Sequence, residues 1–184
     1  MADNVLLKSI KNDRKAKKYI KKLYRISFPP EERAPFYLLS RKARLKNVDW
    51  LGIYDKEQCI GFFYILNYLD LSYVFYFAID YNMRGRGYGT KALAELKNQY
   101  QNRRLFLAIE QTEKNAPNYD ERVKRKNFYA RSGLTAIGGK VREGNVIYEL
   151  IGTGGSVKKE EYHLLIHSWT GKLMSKMVVM ELID

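Results

Sequence analysis

The stretch LSYVFYFAIDYNMRGRGYGTKALAEL, Leu71 to Leu96, decides how the whole chain is read. Its first nine residues are aromatic, aliphatic or β-branched apart from Ser72, the composition of a strand covered on both faces. Its last part places Leu93 and Leu96, and beyond them Tyr100, on one face of a helix expected from about Gly87 to Gln101. Between the two lies MRGRGYG, in which Gly85, Gly87 and Gly89 alternate with Arg86 and Tyr88 behind Arg84. Glycines at the entrance to a helix let the backbone approach a ligand closely, and the first-turn N–H groups bind anionic oxygens with help from the helix dipole. A plain connecting turn needs neither three glycines in five positions nor two arginines, so the loop reads as a phosphate cradle.

Upstream, VLLKSI (Val5 to Ile10) reads as a short strand. Asn12 or Asp13 can cap the helix that follows, which should stop near Ser27 because Pro29 and Pro30 disfavour helical geometry in the residues before them. A second helix is expected over Phe36 to Lys46. The period then becomes that of strands in WLGIYD, CIGFFYILNYL and LSYVFYFAID, and the short breaks at Lys56 to Gln58 and near Asp70 can join only antiparallel neighbours.

Downstream, RLFLAIE is a strand ending at Glu110. A helix follows over about Tyr119 to Ser132, with Asn118 and Glu121 at capping-box spacing and Gly133 as its stop signal. TAIGGKV and VIYELIG are strands around a turn at Glu143 to Asn145. TGGS opens a last helix near Lys158 to Trp169, and the MVVMEL tail is a candidate further strand. The order β α α β β β α β α β β α combines an antiparallel meander with a strand, helix, strand crossover that implies a parallel pair. The fold class is mixed α/β around one central sheet. One domain is expected, with a core over about residues 5–152 and a C-terminal helix and tail over 153–184.

Composition narrows the class. The 184 residues are 46% hydrophobic and 14% aromatic, with four prolines and no low-complexity run, which marks a folded chain. The longest strongly apolar stretch, Leu71 to Ile79, is half of what a membrane-spanning helix requires, so no membrane partner is expected. No leader-like apolar run stands in the first 30 residues, and the single Cys59 fits a reducing cytoplasm. The formal net charge of +13 is uneven: residues 1–48 hold 14 Lys and Arg against 4 Asp and Glu. In KAKKYIKKLYRI and the residues just after it, Tyr19, Ile20, Leu23, Tyr24 and then Ile26 or Phe28 recur at helical spacing with the lysines opposite. Such an excess is either an electrostatic footprint for nucleic acid or another polyanion, or the solvated face of an amphipathic helix. The second reading is the plainer one, and nucleic acid is not expected as a partner.

The ligand of the loop can be narrowed by spacing. A nucleoside triphosphatase loop would carry Lys and then Ser or Thr after its last glycine, whereas Gly89 is followed by Thr90 and Lys91. A dinucleotide fingerprint starting at Gly85 would need glycine at position 90, and the strands before the loop are hairpin-linked, although Glu110 stands near the distance of the expected acidic residue.

The segment FAIDYNMRGRGYGTKAL resembles the acetyl-CoA-binding core of the GNAT superfamily of N-acetyltransferases, whose signature is Arg or Gln, two residues, Gly, one residue, then Gly or Ala. Here these are Arg84, Gly87 and Gly89. RVKRKNFYARSGL resembles the family's second core segment, a helix with an aromatic pair that ends at glycine, here Phe128, Tyr129 and Gly133. The resemblance implies a GNAT-like domain with a splayed parallel pair, acetyl-CoA as cosubstrate, and acetyl transfer to a primary amine by direct attack. It implies a pantetheine arm beside Phe77, Ala78 and Ile79, and a pyrophosphate on the N–H groups of Arg84, Gly85, Arg86, Gly87, Tyr88, Gly89 and Thr90. Asn115 and Phe128 are the further cofactor contacts it suggests, and Tyr129 matches the position of the family's proton donor.

An alkylammonium has a pKa near 10.4 and must lose a proton before it attacks, so a base is needed. Some family members carry a Glu on the strand before the loop, where this chain has Tyr73. Glu110, the only carboxylate of RLFLAIE, is the expected base, and Glu31 and Glu32 are the reserve candidates or the ligands of a cationic substrate. His163 and His167 stand at i, i+4 without a third ligand, so no metal is expected. The rival class is a noncatalytic acyl-CoA or nucleic-acid binding module on the same fold. The C-terminal helix and tail are the candidate interface of a homodimer.

Overall fold

The computed structural model describes residues 5–143, 146–174 and 180–183. The strands are β1 (Val5–Ser9), β2 (Val48–Asp55), β3 (Gln58–Tyr68), β4 (Leu71–Ile79), β5 (Arg104–Glu110), β6 (Thr135–Glu143), β7 (Val146–Gly152) and β8 (Met180–Ile183). The helices are α1 (Arg14–Ser27), α2 (Phe36–Lys42), α3 (Tyr88–Gln99), α4 (Tyr119–Arg131) and α5 (Lys159–Met174), with single 3-10 turns at Pro30–Glu32 and Tyr81–Met83. The architecture is the expected mixed α/β one, with parallel and antiparallel strands and helices packed on them. The chain forms two compact units, and β3 and β4 contribute residues to both.

The first unit comprises the residues up to Ile65 together with Val74–Gln99. Its strands run in the order β1-β2-β3-β4, with β1 antiparallel to β2 from Val5↔Asp55 to Ser9↔Leu51. The side chain of Asp13 caps α1 by accepting from the Ala16 N–H at 2.9 Å, and Phe28 leaves the helix in an extended conformation just before the two prolines. Ala16, Ile20, Leu23 and Tyr24 form the buried stripe of α1. The Tyr24 ring meets Tyr76 of β4 edge-on at 4.9 Å and Phe62 of β3 at 6.4 Å. Burying one such side chain contributes about 1.5–3 kcal/mol. Helix α3 buries Tyr88, Ala92, Leu93 and Leu96 and packs on β1.

Helix α2 stops at Lys42, four residues before the end expected from the sequence. The N–H groups of Arg44 and Leu45 bond three residues back, to Arg41 and Lys42. This tight geometry reverses the chain so that Val48, fully buried, can open β2.

The second unit comprises Leu66–Tyr73 and the residues from Tyr100 onward. Its strand order is β4-β5-β7-β6-β8. The parallel pair has the register Leu71↔Arg104, Ser72↔Leu105 and Tyr73↔Phe106, and the remaining pairs are antiparallel. The β6–β7 register shifts between Ala136 and Lys140, where Gly138 and Gly139 both have φ near +80°, at 79° and 78°. That left-handed backbone suits glycine and builds a bulge. Helix α5 packs Tyr162 against Tyr73 and Phe106 at 5.9 and 6.5 Å between ring centroids. It runs past the expected end at Trp169 to Met174, through a non-helical Gly171. The tail strand exists as β8, paired with β6, while residues 177–179 of MVVMEL and 144–145 of the expected turn lie outside the described residues. No helix among the described residues is long and apolar enough to cross a membrane.

Candidate functional site

The glycine loop leaves β4 at Ile79 and enters α3 at Tyr88. Asp80 shapes the exit: its carboxylate accepts from the Asn82 N–H at 3.0 Å and from the Tyr19 hydroxyl at 2.5 Å. Burial and this bond to Asp80 push the Tyr19 phenol above its usual range. Arg84 folds back, its Nε donating to the Ile79 carbonyl at 3.1 Å, so it braces the turn as well as charging it. Gly85 and Gly87 have φ of +74° and +84°, and a Cβ built on either meets nothing within 4 Å. Glycine is therefore needed here for backbone conformation, and the side a Cβ would occupy is open space. The first intrahelical bond of α3 runs from Lys91 N–H to the Gly87 carbonyl at 3.1 Å. The N–H groups before it belong to the turn that has no acceptor within a helix, the arrangement that receives an anion. Arg84, Gly85, Arg86 and Gly87 are exposed, whereas Tyr88 is buried and anchors the turn by donating from its hydroxyl to Asp55.

The strand end leading into this loop is tightly packed. Phe77 stacks on Phe63 with 4.4 Å between ring centroids, and Gly61 lies so close to Ala78 that a Cβ there would come within 2.5 Å of the Ala78 carbonyl. Phe77 is half-buried, and Ala78 and Ile79 are buried. On the same strand Tyr76 holds the loop that carries Glu31 and Glu32: its hydroxyl donates to the Glu32 carbonyl at 2.9 Å and accepts from the Ala34 N–H at 3.1 Å. Tyr24 adds a bond to the Ala34 carbonyl at 3.0 Å. Glu31 is exposed and Glu32 half-buried.

In the second unit Glu110 ends β5 and is 8% exposed. Its Oε1 pairs with Arg122 at 2.9 Å and its Oε2 with Arg125 at 3.0 Å. Asn118 Nδ2 stands 3.5 Å from Oε1, and Asn118 Oδ1 accepts from Arg122 Nε at 2.7 Å. The capping box expected at Asn118 and Glu121 does not form, since the Asn118 side chain makes no cap bond. Its amide is drawn instead to Arg122 and Glu110, charged partners that outcompete a backbone N–H. Further along α4, Tyr129 is buried, its ring 5.1 Å from that of Phe128. Burial pushes its hydroxyl up to about 12, against a smaller opposing pull from the Arg125 guanidinium. Among the described residues, no group is hydrogen-bonded to that hydroxyl. The helix stops as expected at Gly133, φ +78°.

Asn115 is exposed in the loop before α4. His163 and His167 lie with ring centroids 6.3 Å apart, and no group of three metal-ligating side chains occurs among the described residues. Sequence reasoning missed Asp55, Tyr76, Arg122 and Arg125. The arginines carried a readable signal, since Asn118, Arg122 and Arg125 fall at i, i+4 and i+7 on one face of α4. Asp55 and Tyr76 carried none, because their partners are 33 and 42–44 residues away.

Comparison with known proteins bears on the whole arrangement. A protein of Bacteroides thetaiotaomicron assigned to the GNAT family has 25% identity and a TM-score of 0.71, covering 92% of this chain and 98% of its own. An aminoglycoside 6′-N-acetyltransferase complexed with coenzyme A shares the fold at 12% identity, TM-score 0.62, covering 80% and 96%. So does the ribosomal-protein-S18-alanine N-acetyltransferase of Escherichia coli, at 14% identity, TM-score 0.60, covering 85% and 97%. No curated protein matches the sequence. The model of the acetyltransferase (GNAT) family matches residues 17–134, a span that takes in the glycine loop, β5 and α4 through Gly133, and the chain belongs to that family.

Proposed function

We propose that the chain moves an acetyl group from acetyl-CoA to a primary amine by direct attack of the amine. The observation that carries this reading is the entrance to α3, where two glycines with positive φ leave open space beside the first-turn N–H groups. A pyrophosphate fits such a cradle, because close approach, donor groups and the helix dipole all favour it. We assign it to Arg84, Gly85, Arg86, Gly87, Tyr88, Gly89 and Thr90, with Arg86 as the exposed charge and Arg84 as the brace. Phe77, Ala78 and Ile79 are assigned to the pantetheine arm, and Asn115 and Phe128 to further contacts.

Acetyl-CoA, when bound, supplies an acetyl carbon activated as a thioester and a sulfur leaving group. Tyr129 Oη is the proposed donor of the proton that the sulfur takes up. With its hydroxyl near 12, Tyr129 stays protonated across the neutral range, and Arg125 eases formation of the phenolate. Glu110 is the proposed acceptor of the amine proton. Both its oxygens are engaged by guanidinium groups, so the proton arrives by sharing one of those pairs or through water. Glu31 and Glu32, on a loop fixed by Tyr76, are the proposed ligands of a cationic acceptor.

Two measurements test the reading. Saturating acetyl-CoA should raise the melting temperature, since a ligand that prefers the folded state must stabilise it. Free-thiol release should then follow addition of at least one amine from a panel of polyamines, amino acids, peptides and aminoglycosides. Binding without thiol release for any amine would favour the noncatalytic acyl-CoA module, and no stabilisation would refute the cofactor assignment.

A further inference from the structure

We infer that the exposed face of α1, with the start of α2, is a docking surface for the phosphate backbone of a single-stranded nucleic acid. This activity is separate from acetyl transfer, and it reverses the expectation from composition that nucleic acid is not a partner. Arg14, Lys15, Lys18, Lys21, Lys22 and Arg25 are all exposed along α1, while Ala16, Ile20, Leu23 and Tyr24 fill the opposite, buried stripe. At 1.5 Å per residue the cationic face extends over about 17 Å. Among the described residues, none of these six side chains forms an ion pair.

The arrangement does not serve the helix itself. The first turn of α1 contains no acidic residue, so Arg14, Lys15 and Lys17 stand at the positive end of the dipole, where cations destabilise. Arg14 and Lys18, Lys18 and Lys22, and Lys21 and Arg25 are like charges at i, i+4, which repel. A merely solvated face would tolerate glutamates at these positions and gain stability from them. Asp13, the nearest carboxylate, is already used as the N-cap. The cations continue beyond the helix: burial, and after it the charge of Arg44, lower the Lys17 pKa, and Lys17 lies over the Trp50 ring.

The kind of anion follows from two further features. Lys21 Nζ lies 6.0 Å from the Phe36 ring centroid, which brings the first residue of α2 beside α1. The next residue, Tyr37, is 74% exposed, with the exposed Arg41 one turn further on. An exposed tyrosine that follows the residue touched by Lys21 and has the exposed Arg41 one turn further along its helix offers a platform for stacking an unpaired base. An acidic polypeptide would leave that ring unused. An anionic membrane is disfavoured because the apolar stripe of α1, Ala16, Ile20, Leu23 and Tyr24, is already buried, which leaves Ile26 as the exposed aliphatic side chain of the helix, too little for an inserted apolar face.

The test is fluorescence anisotropy of the full chain with a labelled 20-nucleotide RNA of mixed sequence, between 50 and 200 mM KCl. The logarithm of affinity should fall linearly with the logarithm of salt, with a slope of about −3 for four phosphate contacts. The triple variant Lys18→Glu/Lys21→Glu/Lys22→Glu should lose at least tenfold in affinity at 100 mM KCl and flatten the slope by about 2. Tyr37→Ala should weaken binding severalfold without changing the slope. Neither should lower the melting temperature, which the glutamates should hold or raise, and both should keep the response to acetyl-CoA, while Lys→Gln at the same three positions guards against a folding defect. The inference is overturned if the RNA does not bind at 50 mM KCl, or if acetyl-CoA displaces it. It is equally overturned if the triple variant binds normally, or if poly-glutamate or anionic vesicles bind the patch more tightly than the RNA.

Discussion

The Tyr88 hydroxyl donates a hydrogen bond to the Asp55 carboxylate, tying the first turn of α3 to the end of β2. The second Asp55 oxygen is buried without a partner, so the tyrosine is what satisfies this carboxylate. Removing the hydroxyl leaves a buried acceptor unpaired, at a cost of about 1–3 kcal/mol. Tyr88→Phe should therefore lower the melting temperature by several degrees and raise the KM for acetyl-CoA about tenfold while kcat changes little. A matching loss in kcat with no change in KM would show that the bond does not hold the cofactor loop.

Gly87 sits at φ +84° with nothing near its missing side chain. Gly87→Ala should thus act through backbone strain, about 1–2 kcal/mol, rather than through a clash. The loop can relieve that strain only by abandoning its conformation. The expected result is a modestly lowered melting temperature together with loss of stabilisation by acetyl-CoA, read by thermal shift with and without cofactor. Retained stabilisation would mean that the cradle lies elsewhere.

The features legible in the sequence are those written in neighbouring residues. Asp13 before a periodic run and Pro29 after it fix both ends of α1, and three glycines between a strand and a helix mark the loop without any long-range information. The end of α2 was not legible, because no glycine or proline marks it and the demand to begin β2 at Val48 ends the helix. Asn118 was misread for a related reason. Its spacing to Glu121 suits a capping box, yet Arg122 and Glu110 compete for the same amide, and one of them arrives from another element. Glu110 itself was legible as a carboxylate at a strand end, but its two arginine partners belong to the tertiary structure.

Arg104 binds Asp70 at 2.7 Å and Glu161 at 2.7 Å, and it also donates to the Ser156 carbonyl at 2.7 Å. The guanidinium holds both carboxyls below their ordinary values of 3.8 and 4.5. Folded values below the unfolded ones mean that the pairs stabilise fully above about pH 5 and that this stability fades as pH falls through the folded values. Arg104→Gln should lower the melting temperature by roughly 2–4 °C at pH 7, for about 1 kcal/mol in partly exposed pairs. The gap between variant and wild type should begin to narrow near pH 4 and close only once pH has fallen below the folded values. A gap independent of pH would assign the effect to lost packing and to the Ser156 bond.

Glu110→Gln keeps the side chain's shape and removes the charge that holds Arg122 and Arg125. Loss of a nearly buried ion pair partner should lower the melting temperature in any case. The base assignment predicts more: kcat should fall by 10²-fold or more at pH 7, and recover as pH rises toward the pKa of the amine. Activity that fell only in proportion to the fraction unfolded would leave Glu110 as an anchor of α4.

Tyr129→Phe separates chemistry from folding more cleanly. Among the described residues the hydroxyl has no hydrogen-bond partner, so its removal orphans nothing and the melting temperature should hold or rise slightly. A proton donor at this position predicts a fall in kcat of about 10²-fold with an unchanged KM for acetyl-CoA. Its titration gives a second check. The active form is the protonated one, which persists below about 12, so the wild-type rate should climb with deprotonation of the amine and show no descending limb before pH 10. A descending limb between pH 8 and 10 that vanishes in Tyr129→Phe would show a far more acidic hydroxyl than burial allows. An unchanged kcat would move the donor to another residue.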